Sequence, residues 1–248
     1  MTERPKFVTP KGRPPARRKP PAPGADLFVG VRPPVPAKTA YYDPGCTQCP
    51  RLAEFLTETH HVHPDYFARP VPSFGAAAPK ILIVGLAPGM HGANRTGRPF
   101  TGDYAGVLLY ETLHELGLAT APESVSADDG LQLRNARITN AVKCLPPDNK
   151  PLPDEIRRCN SFLVAELAAL KSVKVVFALG RIAHDSVLVA LGLKRSKFAF
   201  GHGAEHTLDD NRVLVDSYHC SRYNTSTRVL TPEMFRKAMK RACEIAGV

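Results

Sequence analysis

"KILIVGLAPGMHGANRTGRPFTGD", residues 80–103, decides how this chain is read. Its first six residues form a short run of branched apolar side chains, the pattern of a strand buried on both faces. The segment that follows, residues 85–103, spends five glycines and two prolines before any helix can start. A plain strand-to-helix turn needs only about two to six residues, so a loop this long and this bare belongs where backbone comes close to a ligand. It is not a Walker phosphate loop: Gly92 and Gly97 have the spacing, but Arg98 and Pro99 follow in place of Lys and Ser/Thr. Gly85-Leu86-Ala87 likewise breaks the GxGxxG pattern.

Outward from this stretch, "RITNAV" (137–142), "VKVVFALG" (173–180) and "RVLVDSYH" (212–219) are further strand candidates. Helical patterns lie between and after them: one from near Asp103 to Gly117, one opening at Pro153, one after Gly180, and one with Thr231 as N-cap and Pro232 at the first helical position. Strands alternating with helices predict a three-layer α/β/α domain around a central, mostly parallel four-stranded sheet. Ligands of such sheets bind outside the carboxyl ends of the strands. The glycine loop, Asn140 with "KCLPPDNK", Gly180-Arg181 and "HCSRYNT" all fall there.

The chain has 248 residues and a formal net charge of +10, enough length for one full domain and a tail. Nine Lys/Arg against two acidic residues in the first 40 place a net +7 of that charge there, among clustered prolines. Residues 1–40 are therefore expected to be a disordered basic arm, either a solubilising tail or an added attraction to a polyanion, with the folded domain over 41–248. No apolar stretch approaches membrane-spanning length and the N-terminus lacks a secretory pattern, so a soluble cytoplasmic protein is expected. "HHVHP" (60–64) reads as a solvated loop rather than a metal tract. The H-x-E with P-C-x-x-C signature of zinc deaminases is absent.

Cys46 and Cys49 form C-x-x-C, and Cys144 and Cys159 follow with fourteen residues between them. In a reducing compartment four such thiols suit a metal better than disulfides, and spacing alone favours tetrahedral zinc over an iron–sulfur cluster. Cys243 falls on the apolar stripe of the last helix as a buried, unreactive thiol.

The glycine loop, "ITNAVKCLPPDNK", "HCSRYNT" and the cysteine set together resemble the family 5 uracil-DNA glycosylases, the UDGb type, over residues 41–248. The resemblance implies a 4Fe-4S cluster on Cys46, Cys49, Cys144 and Cys159, overriding the zinc expectation. It also implies a monomeric bacterial or archaeal DNA-repair enzyme, associated with the nucleoid, that excises uracil and other deaminated bases from DNA. On this basis Gly85, Ala87, Gly89, Phe100, Asn140 and His219 would grip the flipped base, with Phe100 as stacking platform. His219 would stabilise charge on the departing base, and Asp103 with Asn140 would place the attacking water. Ser221, Arg222, Tyr223 and Asn224 would hold the opened DNA. The sequence departs from relatives in three places: Leu86 stands where family 4 has a carboxylate, Ala87 where family 1 has an aspartate, and Cys220 where proline is usual. An iron–sulfur protein that senses damaged DNA without turnover, and a zinc-stabilised RNA-binding protein, are the competing classes.

Overall fold

The computed structural model describes residues 35–248. Most of the expected basic arm thus lies outside the described residues. Of its last six residues, Lys38 pairs with Asp43 at 2.7 Å and Thr39 exchanges backbone hydrogen bonds with Tyr42.

Five-residue apolar runs give the inner strands their form. The strand β2 (Ile81–Gly85) and the strand β4 (Val175–Leu179) are buried at every position, as branched side chains with a helical layer on each face require. With β3 (Ala136–Asn140) and β6 (Val213–Ser217) they form a parallel core in the order β3-β2-β4-β6. Two short antiparallel strands extend its edges, β1 (Phe74–Gly75) beside β3 and β5 (Glu205–Thr207) beside β6, so the sheet has six strands rather than the expected four. Neither edge strand carries an apolar run, and β5 alternates exposed and half-buried residues, which leaves no periodic signal to read.

The crossovers supply both outer layers. Helices α3 (Tyr104–Glu115) and α7 (Pro232–Ala246) cover one face, where Phe177 meets Phe235 edge to face at 6.0 Å. Helices α4 (Pro153–Ala169) and α5 (Arg181–Ala190) cover the other. Their starts agree with the sequence: Asp103 and Thr231 cap α3 and α7 with side-chain oxygens, and Pro153 and Pro232 occupy first-turn positions. The glycine loop holds one further turn, α2 (Ala93–Thr96).

A first helix, α1 (Pro50–Val62), was not anticipated. His60 and His61 of "HHVHP" lie in its last turn and His63 is its C-cap, in place of the expected solvated loop. Leu52, Leu56 and Thr59, spaced by four and three, form its buried stripe.

One buried charge cluster ties α4 to β3. Glu166, fully buried, accepts from Arg137 Nε at 3.0 Å, Thr139 Oγ1 at 2.8 Å and Lys143 Nζ at 3.2 Å. The two cations hold its carboxyl below the usual range against the opposing effect of burial. Removing one partner would strand a buried charge, so the cluster fixes where the chain leaves β3 toward Cys144.

Candidate active site and cysteine centre

The parallel register places Gly85 beside Asn140 at the carboxyl ends of β2 and β3. Hydrogen bonds from Ala141 N–H to the Gly85 carbonyl and from Val142 N–H to that of Leu86, both 2.9 Å, extend this pairing past the strand ends. Space at Gly85 is taken by its neighbours: a Cβ there would overlap Asn140 Oδ1 and lie 2.7 Å from Phe100 Cζ. The Asn140 carboxamide oxygen is buried without a hydrogen-bond partner among the described residues.

Phe100 has a left-handed backbone, φ +54°, uncommon for a bulky residue and a mark of a constrained site. Its neighbours hold it. Tyr110 donates to the Pro99 carbonyl at 2.9 Å, and Thr101 Oγ1 meets Ser124 Oγ at 2.7 Å. Buried Arg98 donates to Ser124, to the Ala127 carbonyl and to Asp129, while its guanidinium lies 4.3 Å over the Phe74 ring. The ring of Phe100 is thereby presented 5.8 Å from that of His219, with 31° between their planes.

His219 stands two residues past β6, its carbonyl accepting from Asn224 Nδ2 at 2.8 Å. Burial lowers its pKa to about 4, so the imidazole is neutral near pH 7 and has one N–H to donate. Asp103 closes the site from the glycine-loop side. Its Oδ1 accepts from Gly106 N–H at 2.9 Å as the α3 cap, and its Oδ2 packs against Gly92, where a Cβ would fall on it. Burial raises its pKa, opposed by the Gly106 and Ala105 N–H groups. Capping and facing the loop use different oxygens, so Asp103 does both.

Ala87 lies two residues past Gly85 on this loop. Its methyl packs against the cluster of Leu52, Cys144 and Cys159, which leaves only its backbone to serve the pocket. Gly89 accepts from Gly92 and Asn94 N–H groups, and a Cβ on it would meet nothing nearer than Asp103 Oδ2 at 3.7 Å.

The "HCSRYNT" segment forms a short helix, α6 (Arg222–Ser226), capped by Ser221 Oγ. Asn224 is turned inward onto the His219 carbonyl, whereas Arg222 and Tyr223 face outward and Tyr223 is 73% exposed. Arg222 lies 5.7 Å over the ring of Tyr104, whose hydroxyl accepts from Thr225 at 3.3 Å. Tyr104 was missed in the sequence, although it directly follows Asp103. Asn94 was missed as well: fully buried inside the glycine loop, it has both carboxamide atoms unpartnered among the described residues. Cys220 is fully buried in the core beneath α6.

The four predicted cysteines line a single pocket together with Asp43, Leu52, Pro70, Val142, Lys143 and Phe162. Cys49 is the N-cap of α1, Cys144 lies just after β3, and Cys159 is on the buried face of α4, accepting from Lys143 N–H at 3.2 Å. Arg51 binds Glu155 through two 2.8 Å hydrogen bonds and Arg158 donates to the Gln48 carbonyl at 2.8 Å, clamping α1 onto α4. Burial pushes the Cys144 and Cys159 thiols up, Cys159 to about 11; the other cysteines reinforce this at Cys144, whereas at Cys159 the N–H and charge of Lys143 oppose it. Four converging sulfurs in an apolar wall call for a cationic group that makes thiolates stable.

Residues 72–243 match the family model of the uracil DNA glycosylase superfamily. This chain belongs to that superfamily. It is 48% identical to the type-5 uracil-DNA glycosylase of Thermus thermophilus over 82% of this chain and 94% of the relative. To the type-5 enzyme of Pyrobaculum aerophilum it is 41% identical, over 82% of this chain and 89% of the relative. The type-4 uracil-DNA glycosylase of Archaeoglobus fulgidus is 38% identical over 64% of this chain and 67% of its own length. The family 5 resemblance and the α/β fold drawn from the sequence are both borne out. No helix among the described residues is long and apolar enough to cross a membrane.

Proposed function

We propose that this protein excises uracil from DNA as a monofunctional glycosylase, hydrolysing the N-glycosidic bond and leaving an abasic site for base-excision repair. The observation that carries the reading is the meeting of Asn140 Oδ1 and the Phe100 ring over Gly85. A flipped base needs an edge to hydrogen-bond and a face to stack on. The carboxamide of Asn140 pairs acceptor and donor against the N3–H and O4 of uracil, and Phe100 supplies the face. Neutral His219 donates to the base oxygen on which negative charge collects as the bond breaks. The Asp103 carboxylate orients water toward the cationic sugar, as glycosidic cleavage through an oxocarbenium-like state demands. Outward-facing Arg222 and Tyr223 suit phosphate and unstacked bases of the DNA, while Ser221 and Asn224 act by holding α6 and the His219 backbone.

The four cysteines fit a 4Fe-4S cluster, with Cys46 and Cys49 from the α1 end, Cys144 from the β3 exit and Cys159 from α4. Hydrolysis moves no electrons, so such a cluster would supply cross-linking of α1 to the sheet rather than redox chemistry. Ala87 and Met90, packed on the same cluster of residues, would feel its loss in the glycine loop.

Incubation with a uracil-containing duplex followed by alkaline cleavage at abasic sites tests the reading. Strand breaks at the uracil position are expected. Tight binding without breaks would instead assign a damage-sensing role.

The open space at Gly89 extends the proposed range to hypoxanthine and 5-substituted uracils. No side chain there screens a substituent at carbon 5, and Asn140 with backbone groups does not by itself exclude a purine.

A further inference from the structure

A second group of metal-binding side chains lies away from the cysteines, on the α4/α5 face of the sheet. Asp216 of β6 is fully buried, and among the described residues it has no Lys or Arg partner. Two histidines approach it instead: His184 of α5, 1% exposed, with Nδ1 at 2.8 Å from Oδ1, and His206 of β5, with Nε2 at 3.3 Å from Oδ2. One ligand atom from each residue can be chosen so that all lie within 4.8 Å of one another.

The far side of the His184 ring decides what sits between these groups. Its Nε2 is 3.1 Å from the Phe198 carbonyl, an acceptor only, so Nε2 carries the hydrogen. In a neutral ring Nδ1 is then a lone pair facing a carboxylate oxygen, which is repulsive. Either a hydrogen on Nδ1 or a metal ion bound there satisfies the contact with Asp216.

We propose that His184, His206 and Asp216 form a divalent cation site of the zinc class. Donation of the distal ring N–H to a backbone carbonyl is how metal-binding histidines are oriented and their tautomer fixed. Ligands bonded at about 2.0–2.2 Å in a tetrahedron stand roughly 3.3 Å from one another, the separation between His206 Nε2 and Asp216 Oδ2, whereas His184 Nδ1, 2.8 Å from Oδ1, has to draw back by about half an ångström to take its place. Two imidazoles and a carboxylate are a borderline donor set, suited to zinc over calcium or magnesium. His206, on the edge strand with its side chain 15% exposed, leaves a route for the ion and a place for a water ligand. The bound ion joins α5 and β5 to β6 three residues before His219.

The test uses the full chain carrying its native iron content, equilibrated with zinc chloride after mild chelation. Elemental analysis is expected to give one zinc per chain with iron unchanged, and X-ray absorption at the zinc edge a nitrogen/oxygen shell at about 2.0–2.1 Å without sulfur at about 2.3 Å. The edge-strand variant His206→Gln should weaken zinc binding at least tenfold while keeping its iron. Failure of the wild-type chain to retain zinc, a sulfur shell, or unchanged binding in His206→Gln would each overturn the proposal and leave a proton in the gap. The absorption measurement needs only the wild-type chain, so the question is decided even if the variant misfolds.

Discussion

Phe100 and His219 face each other across 5.8 Å with their rings 31° apart, one held from the glycine loop and the other from the end of β6. Each is held in place by side chains other than its own. Arg98, Thr101 and Tyr110 fix the first, and Asn224 fixes the second. The distance between the two rings is therefore sensitive to substitutions in neither of them.

Gly85→Ala puts a methyl where Asn140 Oδ1 and the Phe100 ring already meet. Displacement by as little as about 1 Å costs on the order of a hundredfold in rate. Single-turnover excision should fall by about that factor. Stability, read by thermal unfolding, should drop by only about 1–3 kcal/mol, the cost of overpacking.

The two oxygens of Asp103 separate its two roles. Asp103→Asn keeps a cap acceptor for Gly106 N–H, so its melting temperature should stay near that of the parent while excision drops about 10²–10⁴-fold. Asp103→Ala should lose the same rate and also about 1 kcal/mol of stability. A near-normal rate in Asp103→Asn would confine the residue to capping.

His219 makes stability depend on pH with a known sign. The folded chain keeps it neutral down to about 4, whereas an unfolded histidine takes up its proton near 6.5. Its contribution is thus complete above pH 6.5, is lost as pH falls toward 4 and changes no further below that, amounting to up to about 3 kcal/mol. Denaturant unfolding of the parent and His219→Gln at intervals across this window should show the parent losing stability relative to the variant as pH falls.

Cys144→Ser should remove iron and weaken folding together, because the residue joins the β3 exit to the pocket shared with Cys46, Cys49 and Cys159. Four iron atoms per parent chain after anaerobic purification are expected. One zinc in their place, coordinated by sulfur, would return the site to the reading that cysteine spacing alone favoured.

Gly89→Tyr should fold, since a Cβ there meets only ordinary contacts and the backbone is not left-handed. On a panel of single-lesion duplexes the parent should remove 5-hydroxymethyluracil and hypoxanthine as well as uracil, and the variant uracil alone. Excision confined to uracil in the parent would sink the proposed range.

Much of this was legible in the chain because strong local signals agreed with the fold. β2 and β4 announced themselves as unbroken apolar runs, and Asp103, Pro153 and Thr231 marked helix starts by their capping chemistry. The edge strands were not legible, since β1 and β5 exist through pairing with a neighbour rather than through pattern. Residues such as Arg98 and Asn224 were hidden for a related reason. Their types fit nucleic-acid contact equally well, and only the fold shows Arg98 turned onto Asp129 and Asn224 onto a backbone carbonyl. Which wall the Ala87 methyl faces was not legible either, because loop position alone does not give it.

The cysteine pocket also sets a clock on the chain's birth. Cys46 precedes Cys159 by 113 positions (159 − 46), so at about 5–20 residues per second the first thiols wait on the order of ten seconds for the last to be synthesised. For most of that interval, until Cys144 emerges, Cys46 and Cys49 are a lone pair of thiols, open to oxidants and to whichever metal arrives first. If the four cysteines share one cluster, slower translation or more oxidising conditions should therefore lower the yield of correctly loaded protein without altering the finished molecule's stability.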